Sequence, residues 1–442
     1  MSTLKVNKIR DNSGSTDAIV LDPSGGAVLA GVTTVSAVKV GSGVTISSDG
    51  DVFTTGITTS SSVIVGSGVT ISESGIEASG IGITCASING TQIGGRRNLI
   101  INGAMLVAQR GTSSTDQLYQ TVDRMRLARS GIDENPTQNQ QTINLGGQGF
   151  TKSYRIVNGN QTSGAGSADT ISCSYRIEAR DIRTSGWDYT NPNSFITIQF
   201  WVYSNVGQTY YMRLKTADGT SQQYVMSYTL SANTWTKVIK TIPGNSNLQF
   251  DDDVNQGLQI QWNMFVGTDY TDSGVSLNSW GAYDVNAQYP VDDSTWYTTD
   301  NATWNITGLQ LEVGPQATAF EHRSYAEELL LCKRYCQVYV NPTINGIVSG
   351  VANQSNNHQF ILPVEMRSAP TLTATKTGTN GQRITDGSAT KYVTSLLSSG
   401  KSPTNLSISF NLSGDLTNHR PALAIGPVNT DDQTTFKIEA EI

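Results

Sequence analysis

The dominant pattern along the chain is an alternation of apolar and polar side chains with a period of two. Between residues 96 and 320 it recurs in nine segments at the spacing of an all-β domain, without a helical period. In one segment Phe200 and Val202 face one side and Trp201 and Tyr203 the other, which favours a strand inside a sandwich. We therefore predict two packed sheets. The nine segments are NLIINGAMLVAQR, KSYRIV, ISCSYRIEAR, FITIQFWVYS, TYYMRLKTA, QYVMSYTL, TWTKVIKTI, GLQIQWNMFV and WNITGLQLEV.

A helical signal lies directly after the last of these segments. The strand pattern ends at Gly314, and the sequence from Ser324 to Glu327 is that of a capping box, in which a serine hydroxyl and a glutamate satisfy free amides at a helix N-terminus. The spacing predicts a short helix in a junction segment over residues 321–339.

Apolar residues occupy several faces of this predicted helix, so it needs neighbours around most of its circumference. Leu329, Cys332 and Cys336 form one row, and a second row begins at Leu331. Three copies packed around a common axis would cover both rows. Leu329, Cys332 and Cys336 are therefore predicted contacts of a homotrimer.

Residues 31–94 carry an internal repeat. The tetramers GVTT, GITT and GITC recur at spacings of 25 and 26 residues, and the octamer VGSGVTIS occurs twice. Short strands of this kind would expose their edges along a single chain, whereas three chains wound together would cover them. We predict a trimeric repeat β-shaft over residues 27–95; the alternative is a disordered linker, which does not require Val and Ile in register. The predicted contacts between chains are Val44, Ile46, Val69 and Ile71.

The two ends of the chain also carry strand signals. Residues 1–26 contain two short strand-like runs, interpreted either as a docking segment or as the first strands of the shaft. Residues 340–442 contain seven short strand segments and predict a small β-sandwich as the distal domain. The predicted fold class is all-β and elongated: docking segment 1–26, shaft 27–95, jelly-roll sandwich 96–320, junction helix 321–339 and distal domain 340–442.

Composition narrows the function classes. Charged residues make up 15% of the 442 residues and the formal charge is −7, with no cluster of Lys and Arg, so nucleic acid is not an expected partner. No apolar run approaches the length of a membrane span and no signal-peptide pattern opens the chain, which predicts no membrane insertion and synthesis in a cytoplasm. Four cysteines outside CxxC spacing and three histidines predict reduced thiols and little metal or acid–base chemistry.

Two resemblances follow from particular segments. FITIQFWVYS, LSANTWTKVIKTIPG and WNITGLQLEVG look like the central and last strands of jelly-roll carbohydrate-binding modules. RRNLIINGAMLVAQRGTS, YQTVDRMRL and ITGLQLEVGPQATAFEHRSYAEELLLCKRY look like phrases that recur in bacteriophage tail-fibre or virion-appendage proteins. FILPVEMRSAPTLT resembles a phrase that follows the helix in tail fibres.

The resemblances imply a phage tail fibre. Such a protein would be a homotrimer, attached to other tail proteins of the virion through residues 1–26 and binding host-surface polysaccharide without cleaving it. A virion decoration protein without a receptor role is the alternative, and a glycan depolymerase is a further one.

The aromatic residues least tied to clear strands are the predicted glycan contacts, because the apolar C–H faces of sugars stack on exposed rings while Asn, Gln and Asp bind the hydroxyls. Packing in the core or in loops is the alternative for each ring. These candidates are Tyr119, Trp187, Tyr210, Tyr211, Tyr270, Trp280, Tyr283, Tyr289, Trp296 and Tyr297.

Carboxylates suggest two further chemistries. The run of aspartates at residues 251–253 is either a Ca²⁺ site or a solvated turn, and no EF-hand spacing supports the first reading. No other cofactor is expected. A glycosidase needs two carboxylates flanking the scissile bond, and the available ones are scattered. They are Glu178, Asp181, Asp269, Glu312 and Glu321.

Overall fold

The computed structural model describes residues 97–292, 294–348, 354–376, 382–417, 420–425 and 433–442, together with eight short strands before residue 93. Val44 and Ile46 lie outside the described residues, as do the side chains of Val69 and Ile71. The trimeric shaft therefore stays a prediction.

The strands before residue 93 form three small antiparallel groups. The octamer that begins at Val65 supplies the end of one strand and the whole of the next, and the two strands pair antiparallel. The groups are β1 (Lys8–Arg10) with β2 (Asp17–Leu21) and β3 (Ala27–Leu29); β4 (Ser62–Val65) with β5 (Val69–Ser72) and β6 (Gly75–Ala78); and β7 (Ser87–Ile88) with β8 (Thr91–Gln92).

The segment from residue 97 to 313 forms two antiparallel six-stranded sheets, which confirms the all-β class. In chain order its elements are β9 (Ser113–Ser114), β10 (Arg126–Ser130), β11 (Thr137–Thr142), β12 (Lys152–Val157), β13 (Thr170–Glu178), α1 (Ala179–Arg183), β14 (Phe195–Ser204), β15 (Thr209–Thr216), β16 (Gln222–Thr229), β17 (Thr236–Pro243), β18 (Gln256–Val266), a 3₁₀ turn (Thr268–Tyr270), β19 (Trp280–Ala282) and β20 (Thr303–Val313).

The first sheet has the order β17-β14-β20-β12-β11-β9 and the second the order β10-β13-β18-β15-β16-β19. One continuous apolar core lies between them, and its largest buried side chains include Trp262, Trp304, Tyr154 and Phe200. Each strand places alternate residues in this core, so the residues between them form two outer faces.

Two local predictions in this domain were wrong. NLIINGAMLVAQR forms no strand, because Asn102 and Met105 adopt positive φ angles of 62° and 58°. The side-chain amide of Asn102 also donates to the Val107 carbonyl and accepts from the Val107 backbone N–H. Conversely β11, TQNQQT, has no apolar residue and gave no alternation signal, yet it pairs along its whole length with β12.

The helix is shorter than predicted. α2 spans Tyr325–Cys332, and its capping box is present: Glu327 donates its amide to the Ser324 hydroxyl, while the Glu327 carboxylate accepts from the Ser324 amide. Cys336 was expected in the helix, but it begins strand β21 (Cys336–Val340), whose alternation favours pairing with another strand. Within the described residues, no helix is long and apolar enough to cross a membrane.

The carboxyl-terminal segment is all-β but is not a small sandwich. Six strands close into a barrel around Ile408, Phe410 and Ala424, which removes the free edges that an open sheet would keep. A three-stranded sheet flanks it, in which the central strand, Thr434–Glu439, pairs with β21 on one side and with Thr371–Lys376 on the other. The strands after β21 are β22 (Ile344–Val348), β23 (Gln354–Ile361), β24 (Thr371–Lys376), β25 (Arg383–Thr385), β26 (Thr390–Lys401), β27 (Asn405–Leu412), β28 (Pro421–Ile425) and β29 (Thr434–Glu439).

Candidate functional site

The outer face of the first sheet carries aromatic side chains that point away from the core. In β14, Phe200 and Val202 are fully buried between the sheets, so Trp201 and Tyr203 lie on the opposite side and are half-buried. The Trp235 ring lies beside Tyr203, with ring centroids 5.6 Å apart and planes 42° apart. The pair forms a partly exposed aromatic surface.

A row of polar residues continues from this pair across the sheet. Strand register places Asn139 opposite Arg155, Arg155 opposite Asn305, and Asn305 opposite Tyr203. The row crosses four strands, and the three spacings between them, at roughly 4.8 Å each, give it a length of about 14 Å. The row is therefore long enough to contact more than one sugar ring.

Four of the side chains named so far, Arg155, Tyr203, Trp235 and Asn305, line a cavity of about 350 Å³, which we name the aromatic groove. This volume is at the lower end of the range for small-molecule sites. The groove is lined by Gln141, Asn144, Arg155, Tyr203, Trp235 and Asn305, among others.

A turn before β17 holds the two aromatic rings in place. Tyr203 donates its hydroxyl to Asn233 Oδ1 at 3.0 Å, and the Asn233 amide donates to the Ser204 carbonyl at 2.8 Å. Asn233 has a φ of 60°, a left-handed conformation that asparagine tolerates better than most residues. The turn is thus fastened to β14 on both sides and presents Trp235 next to Tyr203.

Polar atoms in and beside the groove are buried without a partner among the described residues. Asn305 is only 6% exposed, and its Oδ1 accepts no hydrogen bond from a described residue. The same holds for Arg155 Nε as a donor and for Asn139 Oδ1 as an acceptor, although Arg155 donates from another nitrogen to Gln141 Oε1 at 3.2 Å. The groove thus combines aromatic surface with an available donor and available acceptors.

Five of the predicted glycan contacts are buried, and for these residues the prediction was wrong. Trp296 and Tyr289 are 0% exposed, Tyr210 1%, Trp187 3% and Tyr119 9%, so a sugar cannot stack on their faces. Tyr297, a further candidate from the sequence analysis, is also 0% exposed. Tyr210 lies in β15 and the others lie in connecting segments, and rings of this size stabilise the fold most when they are removed from water.

The remaining predicted contacts are half-buried but lie apart from the aromatic groove. Trp280 lines a separate cavity of about 320 Å³ with Asp272 and Asp284. There the Trp280 indole donates to the Pro243 carbonyl at 2.7 Å, and both carboxylates accept backbone amides of their own turns. No lining residue of this cavity carries a buried side-chain polar atom without a partner among the described residues.

Tyr270, Tyr211 and Tyr283 are half-buried and belong to the second sheet and its loops. Tyr270 and Tyr211 pack beside the small cluster around Tyr289. Tyr283 lies over Lys215 Nζ, 3.6 Å from the ring centroid. Tyr211, Tyr270 and Tyr289 thus lie together, and Tyr283 and Tyr289 both lie against Arg213, but this group is separate from the aromatic groove.

The carboxylates proposed for catalysis mostly have structural partners. Glu178 forms an ion pair with Arg334 at 2.7 Å and accepts the Tyr335 hydroxyl at 2.6 Å. Glu312 is 0% exposed and accepts the Thr318 amide at 2.8 Å.

Glu321 accepts the amides of Arg97 and Asn98. Burial alone would raise the pKa of Glu321, but the Asn98 amide and the Arg323 charge outweigh it and hold that pKa below its usual range. Asp269 and Asp181 are exposed, and Asp181 lines a larger cavity of about 640 Å³ together with Glu178. Glu178 is already held by Arg334, and Glu365 is a further carboxylate that lines this cavity.

The aspartates at 251–253 serve separate local contacts. Asp252 forms an exposed ion pair with Arg180 at 2.8 Å, and Asp253 Oδ1 accepts the Asn255 amide at 2.9 Å. Among the described residues, no group of three or more His, Cys, Asp or Glu is arranged to hold a metal. Calcium binding at this turn stays a prediction.

The trimer contacts predicted on the helix pack within their own chain. Cys332 and Cys336 are 0% exposed, and Leu329 packs against the cluster of Ile101, Val107, Cys332 and Tyr335. The predicted role of these three residues was wrong, because the segment after residue 97 already covers that face of the helix. Trimerisation itself stays a prediction.

The residues of the aromatic groove were missed from the sequence, although a signal was present. The alternation in β14 assigned Tyr203 to the side opposite Phe200, but the predicted glycan contacts were the aromatics least tied to clear strands, and Tyr203 lies inside one. For Trp235 and Asn305 the pattern gave their faces but not their neighbours, because register between distant strands is not encoded locally.

Comparisons with known proteins gave structural likenesses only. No family model matches the chain, and no curated protein matches it. Among solved structures, the enzymatically active domain of tailspike protein 4 of Bacteriophage CBA120 has a TM-score of 0.28 at 9% identity, over 49% of this chain and 21% of that one. The match therefore spans about a fifth of the tailspike domain.

Two carbohydrate-binding domains are also similar. The N-terminal cellulose-binding domain of Cellulomonas fimi β-1,4-glucanase C has a TM-score of 0.24 at 10% identity, covering 48% of this chain and 99% of that domain. The family 11 carbohydrate-binding module of Clostridium thermocellum, solved with a mixed-linked tetrasaccharide, has a TM-score of 0.23 at 9% identity, covering 48% and 98%. TM-scores this low do not establish a shared function, so the functional argument rests on the groove.

Proposed function

We propose that the chain binds a glycan noncovalently in the aromatic groove. The observation that carries the proposal is Asn305: its Oδ1 is buried, lacks a hydrogen-bond donor among the described residues, and lines the same cavity as the half-exposed Tyr203–Trp235 pair. A buried acceptor without a partner destabilises a fold by about 1–3 kcal/mol. A sugar hydroxyl would satisfy it.

The composition of the groove matches the surface of a sugar. Stacking on Trp235 and Tyr203 would remove the apolar C–H face of a pyranose from water, and the edge hydroxyls would meet Asn305, Gln141 and Arg155. The second cavity, at Trp280, has no buried polar atom without a partner among its described lining residues. The aromatic groove is thus the better candidate.

We further propose that this binding serves a phage tail fibre. The support is the sequence resemblance of the segments around residues 96–127 and 306–335 to tail-fibre phrases. In this proposal the chain is a homotrimer of the virion, attached to other tail proteins through residues 1–26. Three grooves on one particle would then raise the effective affinity for a host-surface polysaccharide well above that of one groove.

Replacement of the stacking surface tests the binding site. Full-length protein is measured against an array of purified bacterial surface polysaccharides, and Trp235→Ala is expected to lower the affinity for the bound glycan at least about tenfold. Trp235→Phe, which keeps an aromatic face, should lose less. Tyr325→Ala removes a ring that is 56% exposed on α2 and serves as the matched control, with unchanged affinity expected.

Two outcomes would contradict the proposal. Equal affinity of wild type and Trp235→Ala, with both folded, would exclude the groove. Absence of binding to every polysaccharide, together with incorporation of the chain into virions, would favour a decoration protein without a receptor role. Shortening of a bound polysaccharide would show a depolymerase rather than a binding protein.

A further inference from the structure

The outer face of the second sheet carries a group of four cations. Arg126 lies opposite Ser174, and the next outward residue of β13 is Arg176. Arg176 lies opposite Gln259, which in turn lies opposite Lys215 on β15.

A parallel row crosses the same strands. Ser174 lies opposite Gln261, and Gln261 lies opposite Arg213. Arg126, Arg176, Arg213 and Lys215 therefore share one face, separated by neutral Gln and Ser side chains. We name these four residues the basic face.

None of the four cations forms an ion pair with a described carboxylate. Arg213 donates instead to the neutral Gln261 Oε1 at 2.9 Å and packs under the Tyr283 ring, while Arg176 donates to the Ile442 carbonyl oxygen at 2.7 Å. Other shielded arginines differ: Arg110 pairs with two glutamates and Arg334 with Glu178. In a chain of net charge −7, carboxylates are abundant, yet the described ones are kept off this face.

The charges on this face repel one another. Burial lowers the pKa of Lys215, and the Arg213 and Arg176 charges lower it further. Burial also lowers the pKa of Arg126, again with a contribution from Arg176. An anion placed between the rows would relieve this repulsion.

Two polar groups on the same strand have hydrogen-bonding capacity that no described residue uses. Ser174 is 1% exposed, and its hydroxyl has no hydrogen-bond partner among the described residues; the same is true of Arg176 Nε. Lys215, Gln259 and Gln261 are half-buried, so a ligand can reach the face from solvent. The arrangement combines cationic donors with neutral amide and hydroxyl groups.

We propose, building on the proposed glycan binding, that the basic face recognises the acidic groups of an anionic glycan, such as uronate carboxylates or sulfate esters. The regularly placed Gln and Ser groups would bind hydroxyls while the cations bind the acid. The basic face lies on the opposite side of the sandwich from the aromatic groove. A long acidic polysaccharide would thus have two separate contact surfaces on one chain.

Matched pairs of polymers test the acidic preference. Full-length protein is titrated with dextran sulfate and with unmodified dextran, and with polygalacturonate and its carboxyl-reduced form. The acidic member of at least one pair is expected to bind about tenfold more tightly, and Lys215→Gln should remove about that factor for the acidic member only. Lys215→Gln should fold normally, because it removes a charge that its neighbours repel. Lys237→Gln, an exposed lysine on the outer face of the first sheet, is the control and should change nothing.

The outcomes separate this inference from the proposed function. The inference is overturned if the protein binds the acidic and the neutral polymer of each pair equally tightly. It is also overturned if the protein binds none of the four polymers but binds neutral polysaccharides on the array. Both results leave glycan binding intact. Single-stranded DNA bound as tightly as the acidic polymers, with the same dependence on Lys215, also overturns it in favour of unspecific polyanion binding. Loss of acidic binding in Lys215→Gln with no effect of Trp235→Ala supports the inference and excludes the aromatic groove.

Discussion

At the residue scale, Asn305 is the position where binding and stability make opposite demands. Its Oδ1 is buried without a partner among the described residues. Gln310 lies in the same strand, and its side chain donates to Glu312 at 2.9 Å and accepts the backbone N–H of Glu321 at 2.8 Å. Both amides lie on the outer face of the first sheet. The fold uses one and leaves the other available.

Substitution of these two amides by leucine should therefore have different consequences. Asn305→Leu is expected to lower glycan affinity about tenfold while the free energy of unfolding stays the same or rises by about 1 kcal/mol, since an unsatisfied acceptor is removed. Gln310→Leu should lower the free energy of unfolding by about 1–3 kcal/mol. Denaturant unfolding and glycan titration of both variants measure the two effects. If Asn305→Leu lowered the free energy of unfolding as much as Gln310→Leu does, Asn305 would have a structural role instead.

The residues also show what the sequence could predict. Alternation identified β12 and β14 with their observed bounds, and the capping box at Ser324 and Glu327 is present because it depends on neighbours three residues apart. The burial of Trp296 was not predictable, because it depends on how its loop packs against the core, whereas Tyr210 belongs to the predicted strand TYYMRLKTA. The aromatic groove depends on register among four strands that are distant in sequence.

At the element scale, the barrel contains a buried histidine on β23. His358 is 0% exposed, and a Cβ at Gly346 on β22 would lie 2.4 Å from its ring, so the two strands approach closely there. Burial lowers the pKa of His358 to about 4, and its hydrogen bond with the Ile344 backbone opposes this in part. The barrel thus holds the neutral imidazole.

Acidification should weaken the barrel through this residue. Below the unfolded-state pKa of 6.5 the unfolded chain binds a proton that the folded chain does not, so stability falls between about pH 6.5 and 4, by at most about 1.4 kcal/mol per pH unit. Above pH 6.5 this contribution should be flat. Thermal unfolding across this range measures the slope, and His358→Gln should reduce it. An unchanged slope in that variant would assign the acid sensitivity to other groups.

At the scale of the whole molecule, the sandwich and the carboxyl-terminal strands are joined by buried charges. Arg110 donates to Glu439 at 2.6 Å and to Glu441 at 2.9 Å, and Arg124 also pairs with Glu441. Arg367 bonds to the Val254 carbonyl of the sandwich at 2.8 Å. The segment predicted as a separate distal domain therefore contacts the sandwich through specific ion pairs and hydrogen bonds.

The proposed trimer is a prediction at this same scale. Its basis is the repeat at residues 31–94, since the helix residues first assigned to the trimer are used within one chain. Sedimentation of the full-length protein should show a trimer, and Leu329→Asn should lower the melting temperature without altering the trimer. A stable full-length monomer would contradict the trimeric shaft.

The central claim is that a glycan stacks on Trp235 in the aromatic groove, and fluorine NMR tests it most directly. The seven tryptophans of the full-length protein are labelled as 5-fluorotryptophan, and each signal is assigned by its Trp→Phe variant. On titration with the polysaccharide that the protein binds on the array, the Trp235 signal should shift most and the Trp280 signal should stay in place. A shift of Trp280 with an unmoved Trp235 would contradict the account and place the glycan in the other cavity.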